Sequence, residues 1–125
     1  MIALDLPYPP SMNTLYPSNR KTGRRFLSKR GTAYLAAFRV AVAAAGKPVR
    51  PLSGRLGYRL HLYPPDARKR DLSNTLKAVE DCLTKCGVWV DDSLVDVIRV
   101  FREGKVKDGS ATIYIWDLET ECEPF

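Results

Sequence analysis

Prolines cut this chain into short apolar runs, and each run carries a single periodicity. Pro7, Pro9 and Pro10 follow an alternation of Ile2, Leu4 and Leu6 with Ala3 and Asp5; Pro48 follows an Ala-rich run; Pro64 and Pro65 close a second alternation. Proline can neither donate to a sheet ladder nor continue a helix, so each group marks where an element ends. Residues 2–6 therefore read as a first strand. Residues 55–63 read as a half-buried strand with Leu56, Tyr58, Leu60 and Leu62 on one face and Arg55, Arg59 and a solvated or hydrogen-bonded His61 on the other. Between them, Ser28 can cap a helix running to Ala45, with Tyr34, Leu35, Phe38, Val42 and Ala45 on one side and Gly46 as its stop.

The second half repeats the logic. Leu72, Leu76, Val79 and Leu83 form the stripe of a helix over residues 73–86, with Gly87 as its C-terminal signal. Residues 95–102 and 111–116 read as strands joined by EGKVKDGS, a hairpin with Gly104 and Gly109 in its loop. Residues 11–25 have no apolar period and are expected to form a long loop, and the acidic tail DLETECEPF is expected to fray. The expected architecture is a single domain over residues 1–125 of α/β (α+β) class, a mixed sheet with two main helices.

Charge divides the chain more sharply than its total of +6 suggests. From residue 6 to residue 65 there is no acid and there are 11 Lys or Arg, so residues 1–65 carry +10 and residues 66–125 carry −4. A basic half points to an anionic partner, and an acidic half to something that needs carboxylates. No run is long and apolar enough for a bilayer and the N-terminus lacks a signal-peptide core, so a cytoplasmic protein is expected. Cys82, Cys86 and Cys122 are too few and too scattered for a disulfide framework or a zinc site and read as buried thiols.

The acids of the second half can be a solvated surface or a metal site. Asp71 stands at the helix entrance directly after Arg68, Lys69 and Arg70, and Asn74, Lys77 and Asp81 come after it at spacings of three and four, on one helix face. Asp91 and Asp92 lie beyond the helix, where the chain must reverse, and the reversal can bring Asp92 back toward Asp71. Carboxylates with an amide oxygen and no sulfur or imidazole suit a hard cation such as Mg²⁺. The plainer alternative leaves Asp71 or Ser73 as a helix cap, Lys77 and Asp81 as a surface pair, and Asp91 with Asp92 as a turn.

Taken together, LPYPPSMN near the start, PPDARKRDLSNTLKAVEDCLTKCGVWVDD in the middle and the two strands at the end resemble the RusA family of Holliday junction endonucleases, often carried by phages and prophages. The resemblance covers nearly the whole chain and is most specific in the central segment. It implies a homodimer that resolves four-way DNA junctions with Mg²⁺, or Mn²⁺, held by carboxylates and assisted by a lysine. By position in the motif it assigns the helix-entrance aspartate to Asp71, the asparagine to Asn74, the lysine to Lys77 and the last acid of Gly-x-Trp-x-Asp-Asp to Asp92, with Asp81 where the family can carry an acid. The best-known members read Asp-x-Asp-Asn, and this chain reads Asp71-Leu72-Ser73-Asn74, so one carboxylate is a hydroxyl.

Three readings of that change stay open: Asp81 completes a metal site with Asp71 and Asp92; Ser73 binds the metal through water; or the site is crippled, leaving a catalytically weak or inactive branched-DNA-binding protein. In the active readings Lys77 stabilises transition-state charge or orients water, and Arg68, Lys69 and Arg70 hold flanking phosphates. Arg20, Lys21, Arg24, Arg25, Lys29 and Arg30 would track the DNA backbone, with Tyr8, Tyr16 and Phe26 either stacking on bases or anchoring the loop. Two further classes, a non-catalytic nucleic-acid-binding module and a structural protein with an acidic partner, share the same charge asymmetry.

Overall fold

A computed structural model describes residues 1–46 and 48–124; Phe125, the last residue of the acidic tail, lies outside the described residues. The chain forms β1 (Ile2–Leu6), a short α1 (Met12–Leu15), α2 (Lys29–Ala45), β2 (Leu56–Tyr63), α3 (Ser73–Lys85), a 3₁₀ turn at Asp92–Leu94, β3 (Val95–Arg102) and β4 (Ser110–Asp117). The four strands make one mixed sheet in the order β1-β4-β2-β3, with β2 and β3 parallel and the other pairs antiparallel. This is an α+β domain with two main helices.

Strand periodicity decides the core. Leu56, Tyr58, Leu60 and Leu62 of β2 are fully buried on one sheet face, and Ile113 and Ile115 of β4 and Leu4 and Leu6 of β1 continue that face. Tyr34, Phe38 and Val42 of α2 and Ala78, Val79, Cys82 and Leu83 of α3 complete the core cluster. Ala45 lies outside this stripe and is exposed. Burial pushes the Cys82 thiol up to about 12, which suits a small hydrophobe. Cys122, expected to be buried, is exposed. No helix among the described residues is long and apolar enough to cross a membrane.

Three expectations need correction. β3 and β4 do not pair as a hairpin, because β2 lies between them. The crossover through α3 seats β3 on one edge of β2, so the returning chain inserts on the other edge, where its alternating buried residues Ala111, Ile113 and Ile115 are covered on both sides. Residues 11–25 are not a plain loop. Ser11 caps α1, and Ser18 bridges Arg25 across a small hairpin in which Asn19 Oδ1 accepts from the Lys21 and Thr22 amides. The tail does not fray as expected: Arg99 Nε donates to Glu123 at 2.7 Å, and the Arg59 guanidinium reaches Glu123 and the Pro124 carbonyl. Two outward-facing arginines on adjacent strands attract the acidic tail and hold it.

Candidate active site and nucleic-acid interface

Helix α3 carries most of the candidate chemistry, and its two ends are built differently. At its start the capping residue is Leu72, whose side chain offers no acceptor, so neither Asp71 nor Ser73 acts as the cap; Thr75 Oγ1 instead donates to the Leu72 carbonyl at 2.7 Å. Asp71, Ser73 and Asn74 are therefore left exposed at the mouth of the helix. At its end, Gly87 takes a left-handed conformation (φ 73°), with its amide bonded to the Thr84 carbonyl and the Val88 amide to the Leu83 carbonyl. This paired closure turns the chain sharply and favours glycine at that position.

The segment after the turn is pinned. Trp89 is buried, its indole N–H donates to Thr84 Oγ1 at 2.8 Å, and residues 88–90 pair with Leu52. Asp91 then caps the 3₁₀ turn by accepting from the Ser93 amide, and hydrogen bonds from the Ser93 side chain and then its backbone hold the carboxyl below the usual range. Asp92, the next residue, meets Lys77: Nζ lies 3.0 Å from Oδ2. The bond to Asp92, reinforced by the same carboxylate's charge and that of Glu80, raises the Lys77 pKa and keeps a cation at this point. The reversal, expected to bring Asp92 toward Asp71, sets it against Lys77, six residues along from Asp71.

Asp81 is placed elsewhere. Tyr16 donates to its Oδ2, and Lys85 lies 3.4 Å from the same oxygen with its ammonium over the Tyr16 ring. This cluster ties α3 to the segment after α1. The acid facing Lys77 is instead Glu80, only 6% exposed, at 3.7 Å from Nζ and accepting from the Tyr58 hydroxyl at 2.7 Å. The sequence carried a signal for it: Glu80 lies at i+4 from Leu76 and i−3 from Leu83, inside the apolar stripe, where an acid needs a buried partner.

An open groove of about 900 Å³ lies beside the helix mouth, lined by Arg68, Lys69, Arg70, Asp71, Asn74 and, from α2, Arg30, with Tyr8 and its flanking prolines opposite. Arg68 and Lys69 are exposed. Arg70 is committed: Nη1 donates to Asp66 at 2.7 Å, the guanidinium lies 5.6 Å from the Tyr8 ring, and its carbonyl accepts from Arg102. That bond, helped by the Arg68 amide, holds the Asp66 carboxyl at about 2. Arg20, Lys21 and Arg24 stand exposed on the small hairpin, Arg25 reaches Asn13 at 3.5 Å, and Lys29 and Arg30 open α2. Of the three aromatic residues, Tyr8 and Tyr16 anchor, while Phe26 is half exposed next to the hairpin. His61 is satisfied, between Arg59 and Glu103.

The structure therefore brings together Lys77, Asp92 and Glu80 in one cluster, and Arg30, Arg68, Lys69, Arg70, Asp71 and Asn74 around one groove. Among the described residues no three His, Cys, Asp or Glu stand close enough to enclose a metal ion.

The chain matches the protein family described as "Endodeoxyribonuclease RusA" over residues 7–116, a span that includes every residue of the groove and of the Lys77 cluster. It is 35% identical over 119 residues to the crossover junction endodeoxyribonuclease RusA of Escherichia coli (strain K12), covering 95% of this chain and 97% of that one. The protein of the same name from Shigella sonnei (strain Ss046) is also 35% identical with the same coverage. That of Enterobacteria phage 82 is 35% identical over 118 residues, 94% of this chain and 96% of the phage protein.

Proposed function

This chain belongs to the RusA family of crossover junction endodeoxyribonucleases, and on that premise we propose that it resolves four-way DNA junctions by cation-dependent phosphodiester hydrolysis along the exposed side of α3 between its mouth and Lys77. The observation that carries the reading is the 3.0 Å contact between Lys77 and Asp92, which joins the two motif segments 15 residues apart.

The donor chemistry fits a hard divalent cation. Asp71, Ser73 and Asn74 at the helix mouth and Asp92 beyond it offer oxygen only. Mg²⁺ characteristically uses one or two carboxylates and completes its shell with water and substrate phosphate, and Mn²⁺ accepts the same ligands. Asp71 and Asp92 are the proposed carboxylate ligands, with the Ser73 hydroxyl acting through water. Asp81 could join only by giving up Tyr16 and Lys85, so we assign it to holding the segment after α1. When bound, the ion supplies Lewis acidity to the scissile phosphate and lowers the pKa of an attacking water.

The chain's own residues do the rest. The Lys77 ammonium neutralises charge that builds on the phosphoryl oxygens in the transition state. Arg30, Arg68 and Lys69 hold flanking phosphates, Arg70 braces the segment from which Arg68 and Lys69 project, and Asn74 orients the backbone. Arg20, Lys21, Arg24, Arg25 and Lys29 extend the contact along the duplex arms, giving affinity without sequence information. A junction has two equivalent strands to cut, so one site per chain requires a twofold homodimer.

Asp92→Asn tests the assignment. Against a synthetic four-way junction in Mg²⁺, single-turnover cutting should fall by more than the roughly 100-fold that loss of an outer-shell partner costs, while junction binding persists. Ser73, which supplies no charge, favours a second reading: a branched-DNA binder with little or no activity. Cutting absent from the unmodified protein at any Mg²⁺ concentration would support that reading, and cutting that is equal with and without Asp92 would overturn the assignment of Asp92.

A further inference from the structure

We infer that Glu80 is a positioning residue for the cleavage reaction: its buried carboxylate, held from the sheet by Tyr58, fixes the Lys77 ammonium against Asp92. The inference rests on the placement of Lys77 in the proposed active site, and it adds a residue that the motif assignments do not include.

The geometry is a chain of four groups running from the core to the surface. Tyr58, fully buried in the middle of β2, donates to Glu80 Oε2 at 2.7 Å. Glu80 Oε1 lies 3.7 Å from Lys77 Nζ, and that nitrogen lies 3.0 Å from Asp92 Oδ2. The helix backbone joins the same arrangement: Thr84 Oγ1 donates to the Glu80 carbonyl while accepting from the Trp89 indole, so Glu80 and the Asp92 segment share a mount.

A carboxylate in a helix's buried stripe carries a large desolvation penalty and persists only when paired. An apolar residue at position 80 would pack against the sheet without that cost, so helix-to-sheet packing alone does not call for an acid. Lys77 gives it a purpose. The lysine side chain is 65% exposed and has four rotatable bonds, so holding it in one place costs rotamer entropy. One anchor, Asp92, restrains the ammonium in one direction, and in the proposed mechanism that anchor also serves the cation. A second carboxylate from a rigid core position restrains it in another, so the charge stands in place before the phosphate arrives. Burial and the bond to Glu80 raise the Tyr58 pKa, so Tyr58 stays a donor throughout the working range.

Glu80→Gln keeps the shape and can still accept from Tyr58, but removes the charge facing Lys77. Three measurements on the full-length protein decide the matter: single-turnover cutting of a four-way junction in Mg²⁺, junction binding in Ca²⁺, and the order of the Lys77 side chain from its ¹³Cε NMR signal, assigned by its loss in Lys77→Ala. The expected result is a rate lower by about tenfold, the scale of coupling within one hydrogen-bonded network, with unchanged binding and a Lys77 signal that becomes mobile while other lysines keep theirs. Should Glu80→Gln fold poorly, Tyr58→Phe leaves the charge and loosens its mount, and should show the same pattern more weakly. An unchanged rate, or a lower rate with Lys77 as ordered as before, overturns the inference. Full activity in Lys77→Ala would instead overturn the site assignment on which it rests.

Discussion

Ser73 puts a hydroxyl where the family resemblance leads one to expect a second acid, on an exposed position at the first turn of α3. In the proposed site two carboxylates and a water-bridged serine are enough for an ion that draws the rest of its shell from solvent and phosphate, but affinity drops when a ligand charge is lost. Ser73→Asp should therefore raise cutting several-fold at limiting Mg²⁺ and leave the rate at saturating Mg²⁺ unchanged. Measuring the rate across a Mg²⁺ titration separates the two, and a large gain at saturation would show that the natural site is crippled. The substitution should not harm the fold, since an acid in a helix's first turn is favoured by about 0.3–1 kcal/mol. The family motif assigns Asp71, Asn74, Lys77 and Asp92 by position, and of these the structure sets Lys77 against Asp92. Helix spacing placed Asp81 on a face with Lys77 but could not reveal that Tyr16, 65 residues earlier, would engage it. The same limit hid Glu80, whose partner Tyr58 is on another element.

At the scale of elements, strands and helices could be read because prolines end them and each apolar run keeps one period. Strand adjacency could not. A reversal between residues 102 and 110 makes β4 antiparallel to β3 whether it pairs with β3 or crosses to the far edge of β2, and local sequence is the same in both cases. The turn that ends α3 matters more for function than either strand edge. Gly87 closes the helix, Trp89 anchors in the core, and Asp92 emerges opposite Lys77 because those two steps fix its position. Gly87→Ala forces a side chain into a left-handed conformation that costs about 1–2 kcal/mol, so thermal unfolding should move down by several degrees. Cutting should fall more than junction binding, because Asp92 shifts while the groove's basic wall, which precedes the helix, does not. An unchanged melting temperature would show that the turn is not under this constraint.

Across the whole molecule, the +10 and −4 halves of the sequence turn into a spatial division of labour. Arg20, Lys21, Arg24, Arg25, Lys29 and Arg30 occupy the exposed hairpin and the start of α2; the bases of residues 68–70 border the groove; and several acids of the second half are internal partners, as Asp66 is to Arg70, Asp81 to Lys85, Asp96 to Arg55 and Glu123 to Arg99. The acidic half is thus less available to repel DNA than its net charge implies, while exposed cations stand at the groove and on the hairpin. If those cations meet phosphates, junction affinity must fall with salt, at a log-log slope of about −0.9 per neutralised phosphate on duplex arms. Removing three hairpin charges together, as Arg20→Ala, Lys21→Ala and Arg24→Ala, should make that slope shallower by up to about 2.7 and weaken binding without changing the rate of the bound complex. The hairpin is exposed and held by its own backbone and Asn19 bonds, so the triple variant should fold normally. Junction titrations at salt concentrations from about 50 to 200 mM would read the difference. An unchanged slope would place the DNA on another face and leave the hairpin's bases as a solvated surface.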